Sequence, residues 1–509
     1  MAGEADLAYQ RLQQAQQAIA QERTEDALRL CREAVELAPR DAVCINAFGL
    51  VQRRAGRIDE ALGSFSAAVR LDRGYGPAWH NQAEILHQLG RYAEAAEACR
   101  QAVAAAPNLP ATWRLLADSC IRLARIDEAV AAARKATKLQ PDDPAGWQLL
   151  AVAEKRSGNA EGALLAWREL CALKRDDVRA LTALGVTCME LARYDEAEET
   201  FRRARELDPA YLPARFGHSQ SLEKLVPFWH IPMMNERARN EAYREAIRQV
   251  VGSEDHVLEI GTGAGLLAMM AAEAGARHVT TCERVPVLAD EARRIVERNG
   301  FTQRITVIGK SSTQLEVGTD MPERADVLVS EILANSFVEE GVIPSINDAR
   351  ERLLKPGARL IPARGSIMGA LVGGDSVRRL LEVEEICGFD MRSFNGFRAR
   401  QQYWVRPEPY DALSADIELL TIDFEAQAHI ASFDLEVPVE ATQAGRCYGV
   451  LQWIRIELAP GVIYENHPEE SHSHWYPVLF SFPEPFDVVP GDTIPLRILQ
   501  VGSVLCITR

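Results

Sequence analysis

The stretch His256–Ala276, HVLEIGTGAGLLAMMAAEAGA, decides the fold of the part of this 509-residue chain that follows its N-terminal half. The short apolar run Val257–Ile260 predicts a buried β-strand, and a glycine-rich turn and a segment of helical composition follow it. Gly261, Gly263 and Gly265 would let the backbone pass close to a ligand at the carboxyl end of that strand. The pattern predicts the first strand–loop–helix unit of a Rossmann-like α/β domain.

The next predicted strand ends at Glu283, where a carboxylate can bind both hydroxyls of a ribose. A dinucleotide site requires a third glycine three residues after the second, and Leu266 occupies that position here. The pattern E-x-G-x-G-x-G better fits a single nucleoside such as S-adenosylmethionine. Ser312, beyond the third predicted strand, is a candidate contact to the base. The alternative is an ordinary strand-to-helix turn that binds no ligand.

Two glutamates follow a further predicted strand, Ala325–Val329. Glu331 lies at its carboxyl end, and Glu340 comes nine residues later. Two carboxylates that face each other repel unless a cation lies between them. A guanidinium fits this place because it is planar, permanently charged and offers paired N–H donors. The pair would hold the charge away from one nitrogen and aim that nitrogen at a methyl donor. Taken alone, however, two glutamates in a loop are more often simply solvated.

The N-terminal part of the chain repeats with a period of 34 residues, the tetratricopeptide signature. The small residue that lets two helices approach recurs at Ala27, Ala61, Ala95, Ala129, Ala163 and Ala197. Trp79, Trp113 and Trp147 keep the same step. We therefore predict about six units between residues 8 and 211. Such a superhelix binds peptides or partner proteins along its concave face, and the alternative role is that of a spacer or dimerisation platform.

From about Pro362 onward, alternating apolar and polar runs broken by Gly and Pro predict an antiparallel β-barrel-like domain. The predicted fold class is therefore multidomain. An all-α tetratricopeptide superhelix (residues 1–222) precedes a Rossmann-like α/β domain (223–361) and an antiparallel β-barrel domain (362–509).

Composition excludes several other classes of function. The net charge of −16 disfavours nucleic acid as a partner. The ten cysteines include no C-x-x-C pair, so we expect neither a disulfide framework nor a metal site. The apolar runs are too short to span a bilayer, so no membrane partner is expected. The acidic N-terminal residues do not read as a signal peptide, and we expect a cytoplasmic protein.

Four segments between about Val226 and Arg509 resemble, in order, motifs of the protein arginine methyltransferase family. The helix that covers the cofactor in this family resembles WHIPMMNERARNEAYREAI, and its cofactor motif resembles VLEIGTGAGLL. The family's double-glutamate loop resembles SEILANSFVEE, and its Thr-His-Trp loop resembles SHSHWYP. Together with the repeats, the chain is similar to the tetratricopeptide-bearing branch of the family.

The resemblance implies a role for each matching residue. Arg239 would bind the carboxylate of the cofactor, and Met233 would lie near the transferred methyl group. Glu236 would pair with His474, which would orient the loop or relay a proton, and Trp475 would face the substrate. The catalytic candidates are therefore Glu331, Glu340 and His474. The substrate-positioning candidates are Trp475, Met233 and Glu236.

The implied activity is methyl transfer from S-adenosylmethionine to an arginine of a protein recruited by the repeats. The resemblance also implies a homodimer, with a dimerisation arm within Glu382–Arg400. Gln220 and Lys224 stand where many members carry an aromatic pair, which disfavours asymmetric dimethylation and leaves monomethyl or symmetric products open. Two alternatives remain open: a methyltransferase for a small or non-arginine substrate, and a catalytically silent scaffold.

Overall fold

The computed structural model describes residues 2–339, 341–405, 408–426, 432–469, 473–502 and 504–509. The chain forms two compact units, Met1–Leu225 and Val226–Arg509. The first is entirely helical and the second contains the sheets, so the predicted order of helical repeats, parallel sheet and antiparallel sheet is confirmed.

The helical unit consists of pairs of helices that pack against each other and against the next pair. Each buried alanine of the 34-residue period is fully enclosed between helices, as close packing requires. The helices are α1 (Ala2–Ala20), α2 (Thr24–Leu37), α3 (Ala42–Arg54), α4 (Ile58–Leu71), α5 (Gly76–Gln88), α6 (Tyr92–Ala105), α7 (Pro110–Arg122), α8 (Ile126–Leu139), α9 (Pro144–Arg156), α10 (Ala160–Leu173), α11 (Val178–Glu190), α12 (Tyr194–Leu207) and α13 (Leu212–Leu225).

The turn between the two helices of each unit needs one residue in the left-handed backbone region. Such residues recur every 34 positions, with φ between +56° and +81°: Glu22, Gly56, Gly90, Ala124, Gly158 and Ala192. Three of them are not glycine, although a Cβ is unfavourable in this conformation. The tryptophans also have a periodic role, since the indole N–H groups of Trp79, Trp113 and Trp147 each donate to a backbone carbonyl six residues earlier.

The second unit begins with the helices α14 (His230–Asn235) and α15 (Arg237–Val250), followed by a five-stranded parallel sheet of order β3-β2-β1-β4-β5. Its strands are β1 (His256–Ile260), β2 (His278–Cys282), β3 (Ile305–Ile308), β4 (Ala325–Ser330) and β5 (Leu354–Ile361). Its helices are α16 (Leu266–Ala274), α17 (Pro286–Arg298) and α18 (Val342–Arg352). The strand order reverses between β1 and β4, and such a switch point is where open α/β sheets bind ligands.

The rest of the unit is antiparallel. A seven-stranded sheet has the path β10-β6-β13-β15-β9, with β11 paired to β6 and β14 to β13, and a three-stranded sheet has the order β12-β16-β17. The elements are β6 (Arg364–Gly373), α19 (Asp375–Leu381), β7 (Glu385–Ile386), β8 (Phe389–Asp390), β9 (Gln401–Tyr403), β10 (Asp411–Ala412), β11 (Ile417–Asp423), β12 (Asp434–Glu440), β13 (Gly445–Ala459), β14 (Val462–Glu465), β15 (Val478–Val488), β16 (Thr493–Val501) and β17 (Val504–Thr508).

One hydrophobic core runs through the parallel and antiparallel parts of this unit, so the two parts pack against each other. Among the described residues, no helix combines the length and apolar character that crossing a bilayer would require.

Candidate active site

The glycine loop lies between β1 and α16, as predicted. Gly261, Gly263 and Gly265 all have positive φ, at +86°, +50° and +81°. A Cβ on Gly261 would lie 2.5 Å from the side chain of Ile332, whereas no atom lies within 4 Å of a Cβ built on Gly263. The middle of the loop therefore borders open space, which is what close approach of a ligand to the backbone requires.

Glu283, the acid that follows β2, is hydrogen-bonded to this loop. Glu283 is buried, and its carboxylate accepts hydrogen bonds from the backbone N–H groups of Gly263 (3.1 Å) and Val285 (3.0 Å). A carboxylate has further lone pairs, so both oxygens can still accept hydroxyl donors. The arrangement holds the carboxylate beside the loop, where it fits the ribose of a nucleoside.

Glu259, the acid of the E-x-G-x-G-x-G pattern, is buried in β1 before this loop, and it was not predicted from the sequence as a site residue. Burial within β1 raises its pKa to about 8, although hydrogen bonds from the Thr281 hydroxyl and the Ala268 N–H favour the carboxylate. Glu259 thereby connects β1, β2 and the first turn of α16. The available signal was a charged residue within an otherwise apolar strand segment, Val257–Ile260.

Arg239 and Glu331 form a buried ion pair. The Arg239 side chain is 2 % exposed, and its Nη2 lies 2.7 Å from Oε2 of Glu331. The Tyr243 ring faces the guanidinium, at 5.1 Å from its centroid, and the Tyr243 hydroxyl donates to the carbonyl of Ser330. Burial raises the pKa of Glu331, and the charges of Arg239 and His474 oppose that rise.

This ion pair leaves two polar atoms unused. Nε of Arg239 and Oε1 of Glu331 are both buried, and neither has a hydrogen-bond partner among the residues that the structure describes. A buried donor or acceptor without a partner costs about 1–3 kcal/mol. The two atoms therefore indicate that a ligand completes the site, with an acceptor for Arg239 and a donor for Glu331.

Glu236 and His474, which the resemblance pairs, are in direct contact. Nδ1 of His474 lies 2.7 Å from Glu236 Oε2, and the His474 backbone N–H donates to the same oxygen at 2.9 Å. The Tyr464 hydroxyl donates to the other carboxylate oxygen. Burial alone would raise the pKa of Glu236, but the hydrogen bonds from His474 and Tyr464 outweigh it and hold that pKa below its ordinary value.

The other ring nitrogen of His474 faces the ion pair, since Nε2 lies 3.7 Å from Oε1 of Glu331. Trp475 is buried beside the His474 ring, and its indole N–H donates to the carbonyl of Leu333 on the loop after β4. The structure thus brings together Arg239, Glu331, Glu236, His474 and Trp475. Tyr464, on β14, belongs to the same group; nothing in the local sequence distinguished it.

Two predicted residues, Met233 and Ser312, stand apart from this cluster, and a third lies outside the part of the chain that the structure describes. Met233 lies in α14, and its backbone carbonyl accepts a hydrogen bond from the N–H of Glu236. Ser312 is buried in a short 3₁₀ helix after β3, and its carbonyl accepts a hydrogen bond from Arg352. Glu340 lies outside the described residues. Within the described ranges, no group of three or more His, Cys, Asp or Glu side chains is arranged to hold a metal ion.

These groups match the parts of S-adenosylmethionine. Glu283 fits its ribose hydroxyls, the open face of the glycine loop admits its nucleoside, and the free N–H of Arg239 fits its carboxylate. The Rossmann-like fold and this site define an S-adenosylmethionine-dependent methyltransferase.

The comparisons with known proteins agree with this class. The chain belongs to the arginine N-methyltransferase family. It is 36% identical over 282 residues to the arginine N(omega)-methyltransferase of Streptomyces achromogenes subsp. streptozoticus, and the match covers 55% of this chain and 78% of that protein. It is 30% identical over 302 residues to protein arginine N-methyltransferase 7 of Danio rerio, covering 52% of this chain and 43% of that protein. The chain thus spans less than half the length of the latter relative.

Family models match all three parts of the chain. Tetratricopeptide repeat models match residues 46–110, 86–153 and 178–211. A model of ribosomal protein L11 methyltransferase matches residues 244–363, and one of the arginine methyltransferase oligomerization subdomain matches residues 369–503. A solved structure of the Trypanosoma brucei PRMT1 enzyme–prozyme complex with AdoHcy is similar at a TM-score of 0.49 and 21% identity, covering 55% of this chain and 90% of that one.

Proposed function

We propose that this enzyme transfers a methyl group from S-adenosylmethionine to a guanidinium nitrogen of an arginine in a partner protein. The observation that carries the proposal is the pair of unused buried atoms at the ion pair, Nε of Arg239 and Oε1 of Glu331. The first needs an acceptor such as the cofactor carboxylate, and the second needs a donor such as a guanidinium N–H. The cofactor and the substrate would therefore each supply the missing hydrogen-bond partner of one atom of this buried pair.

The chain's own groups would then position the acceptor. S-adenosylmethionine, when bound, supplies an electrophilic methyl group on a sulfonium. Glu331 accepts a hydrogen bond from the substrate guanidinium and draws its positive charge toward one side. The nitrogen that is methylated then keeps more of its electron density and is the better nucleophile. Glu340 is proposed as the second carboxylate of this clamp. Most of the rate enhancement would come from orientation in a site that excludes water.

His474 is the proposed route for the proton that the methylated nitrogen releases. Its Nδ1 is held by Glu236, which fixes the ring and directs Nε2 toward Glu331. The hydrogen bond from Tyr464 keeps Glu236 oriented. Trp475 is proposed to bound the substrate channel, because its hydrogen bond to Leu333 joins the histidine loop to the glutamate loop. Met233 is proposed to lie near the transferred methyl group, and Ser312 to contact the base.

The repeats are proposed to recruit the protein substrate, in the cytoplasm, and the enzyme is proposed to act as a homodimer. The recruitment proposal is supported by the six-unit register and by the use of such superhelices as protein-binding surfaces. The dimer proposal is supported by the match to an oligomerization subdomain model. Either monomethyl or symmetric dimethyl arginine is the proposed product, because Gln220 and Lys224 stand where many family members carry an aromatic pair.

The test is incubation of the full chain with labelled S-adenosylmethionine and an arginine-rich protein extract, followed by mass spectrometry of the products. We expect methylarginine in one or a few extract proteins. Labelled cofactor that binds without producing any methylated product would favour a scaffold. Label in a small molecule or on another residue type would show that the acceptor is misassigned.

Free arginine is a second candidate acceptor. The name of the Streptomyces relative, arginine N(omega)-methyltransferase, does not specify a protein substrate. The helical repeats favour the protein substrate, because a free amino acid needs no recruitment surface. Including free arginine as a substrate in the same assay separates the two candidates directly.

A further inference from the structure

A cavity with no role in the proposed reaction lies between the glutamate loop after β4 and the antiparallel sheet. Its volume is about 140 Å³. The residues that line it come from that loop and from strands β9, β13, β15 and β17: Asn335, Ser336, Glu339, Gln401, Gln402, Tyr403, Gln452, Val478, Phe480 and Leu505. The loop that lines the cavity begins at Glu331, so the cavity and the proposed acceptor site share one loop.

Two glutamines of the lining use their donor groups within the chain. Gln452 is fully buried, and while its Nε2 donates to the carbonyl of Asn335 at 2.8 Å, its Oε1 has no partner in the described part of the chain. Gln401 likewise uses its Nε2 on the carbonyl of Leu505. An unpaired buried oxygen is unfavourable, so Gln452 indicates that a donor from outside the chain enters here.

The cavity also carries a negative charge. Glu339 contributes a half-buried carboxylate whose contact with the Ser336 hydroxyl is long, at 3.4 Å. Glu339 and Tyr403 line the same cavity. The pKa of Tyr403 is raised mainly by partial burial and also by the negative charge of Glu339. Among the lining residues that the structure describes, there is no lysine, arginine or histidine to neutralise this charge. The cavity is therefore complementary to a cation with N–H donors.

One wall of the cavity is apolar. Val478, Phe480 and Leu505 belong to the hydrophobic core of the unit and are almost fully buried. An apolar wall beside a carboxylate suits a side chain that has a methylene stem and a charged end, such as that of lysine or arginine. A small inorganic cation would leave this wall without contacts.

We propose that the cavity binds the side chain of a lysine or arginine that neighbours the methylated arginine in the protein substrate. The inference rests on the proposed function, because it takes the Glu331 site as the place of the acceptor arginine. The apolar wall contacts the methylenes of the bound side chain, while Glu339 and the free oxygen of Gln452 accept its N–H groups. The cavity is thus a specificity site for the residue beside the acceptor.

The test measures peptide binding by calorimetry on the full chain saturated with S-adenosylhomocysteine. Each peptide contains one arginine and one lysine, which is moved through the three positions on either side. Matched peptides carry norleucine, which has a similar stem without the charge. We expect that, at one position, the lysine peptide binds about tenfold more tightly than its norleucine counterpart.

Glu339→Gln removes the charge with little change in shape, and it should lower this lysine preference to about twofold or less. Gln452→Met, which removes the free oxygen, should also lower it. The matched control is Glu484→Gln, since Glu484 is exposed on β15 away from the cavity and its loss should leave the preference intact. If Gln452→Met does not fold, Glu339→Gln decides alone.

Three results would overturn the proposal. Equal binding of all lysine and norleucine peptides would mean that the cavity holds only water. A lysine preference that survives Glu339→Gln would place its origin elsewhere. Weaker binding of free arginine in Glu339→Gln, without a peptide preference, would assign the cavity to an α-ammonium group. Mass spectrometry of the same peptides tests the proposed function separately, because peptides that bind with lysine preference but are never methylated contradict only the reaction.

Discussion

At the scale of single residues, the ion pair of Arg239 and Glu331 carries the main functional argument. Burying two charges is costly, and buried pairs are often no more stabilising than apolar residues of similar volume. Here the geometry leaves one donor and one acceptor unused. A buried pair that leaves two polar atoms without partners is better explained by ligand binding, because ligands would complete both hydrogen-bonding shells.

Glu331→Gln separates binding from catalysis. The amide keeps the shape of Glu331 but cannot draw charge from the substrate, so we expect the methylation rate to fall by about 10²–10³-fold. S-adenosylhomocysteine should bind at least as tightly as before, because Arg239 no longer shares its charge with Glu331. Turnover by mass spectrometry and binding by calorimetry measure the two effects, with Glu484→Gln as control. Full activity in Glu331→Gln would remove this residue from the mechanism.

Glu259 predicts an unusual dependence of stability on pH. Its pKa is raised to about 8 in the folded unit, whereas an unfolded glutamate titrates near 4.3. The folded state therefore holds the proton more tightly, and the contribution of this residue to stability is present at low pH and is lost as pH rises from about 4.5 to about 8. The loss should be a few kcal/mol, at about 1.4 kcal/mol for each pKa unit.

Glu259→Gln should abolish this loss. The amide remains neutral at every pH and can still accept from Ala268 while it donates to Thr281. Thermal unfolding at a series of pH values should show that the melting temperature of the variant increases relative to that of the natural protein as pH rises. Glu245→Gln, at an exposed position of α15, is the control and should follow the natural protein. Parallel curves for Glu259→Gln and the natural protein would contradict the buried neutral acid.

The site residues differ in how far the sequence could reveal them. Glu283 and the three glycines follow from local spacing, because one strand and its turn fix their positions. Glu236 and His474 are 238 residues apart, and their 2.7 Å contact was expected from family resemblance alone. Tyr464 completes that contact from β14, and no local pattern marks it, since a tyrosine in a strand is ordinary. The cavity beside Glu339 depends on four strands and could not be predicted.

At the scale of elements, the helical unit repeats a backbone conformation more strictly than it repeats a residue. The alanine period predicted the helix pairs correctly because close packing selects a small side chain at each contact. The left-handed turn residue was hidden from such reasoning, because Ala124 and Glu22 occupy places that glycine fills elsewhere. The packed helices on either side impose the conformation and bear its strain.

The left-handed conformation of this turn predicts that two opposite substitutions change the stability of the helical unit in opposite directions. Ala124→Gly should stabilise the helical unit by about 1 kcal/mol, and Gly90→Ala should destabilise it by a similar amount, since a Cβ is disfavoured at positive φ. A Cβ at Gly90 would meet no atom within 4 Å, so the effect reports backbone strain alone. Urea unfolding of the full chain, followed by circular dichroism of the helices, measures both.

The control is the same replacement inside a helix. Gly63 lies exposed within α4, and a Cβ there would also meet no atom within 4 Å. Gly63→Ala should therefore stabilise by about 0.5–1 kcal/mol. If Gly63→Ala and Gly90→Ala shift stability in the same direction, the turn conformation does not explain the periodic glycines.

At the scale of the whole molecule, the segment Glu382–Arg400 has the surface of an interface. It holds short strands β7 and β8 and a 3₁₀ helix, and large apolar side chains cover its outside. The exposed ones are Ile386, Phe389, Met391, Phe394 and Phe397, of which Phe397 is 80 % exposed. Contiguous exposed apolar residues are typical of surfaces that a second protein covers.

The proposed homodimer can be tested on this arm. Phe394 and Phe397 lie side by side, with ring centroids 5.4 Å apart. Replacing both with serine should convert the dimer to a monomer in sedimentation velocity, with unchanged circular dichroism, because the apolar area that drives association is lost. Val489→Ser, at another exposed apolar residue, should leave the dimer intact. A natural protein that sediments as a monomer at micromolar concentration would contradict the homodimer.

The buried pair of Arg239 and Glu331 has a further consequence for the proposed reaction. Without the cofactor, the positive charge of Arg239 beside Oε2 weakens Glu331 as an acceptor, so a guanidinium that binds the free Oε1 is held less tightly. A cofactor carboxylate at the free Nε of Arg239 offsets this positive charge. The two ligands are then positively cooperative, and by thermodynamic reciprocity each raises the affinity for the other by the same factor. The enzyme would thereby be protected from unproductive occupation whenever its methyl donor is scarce.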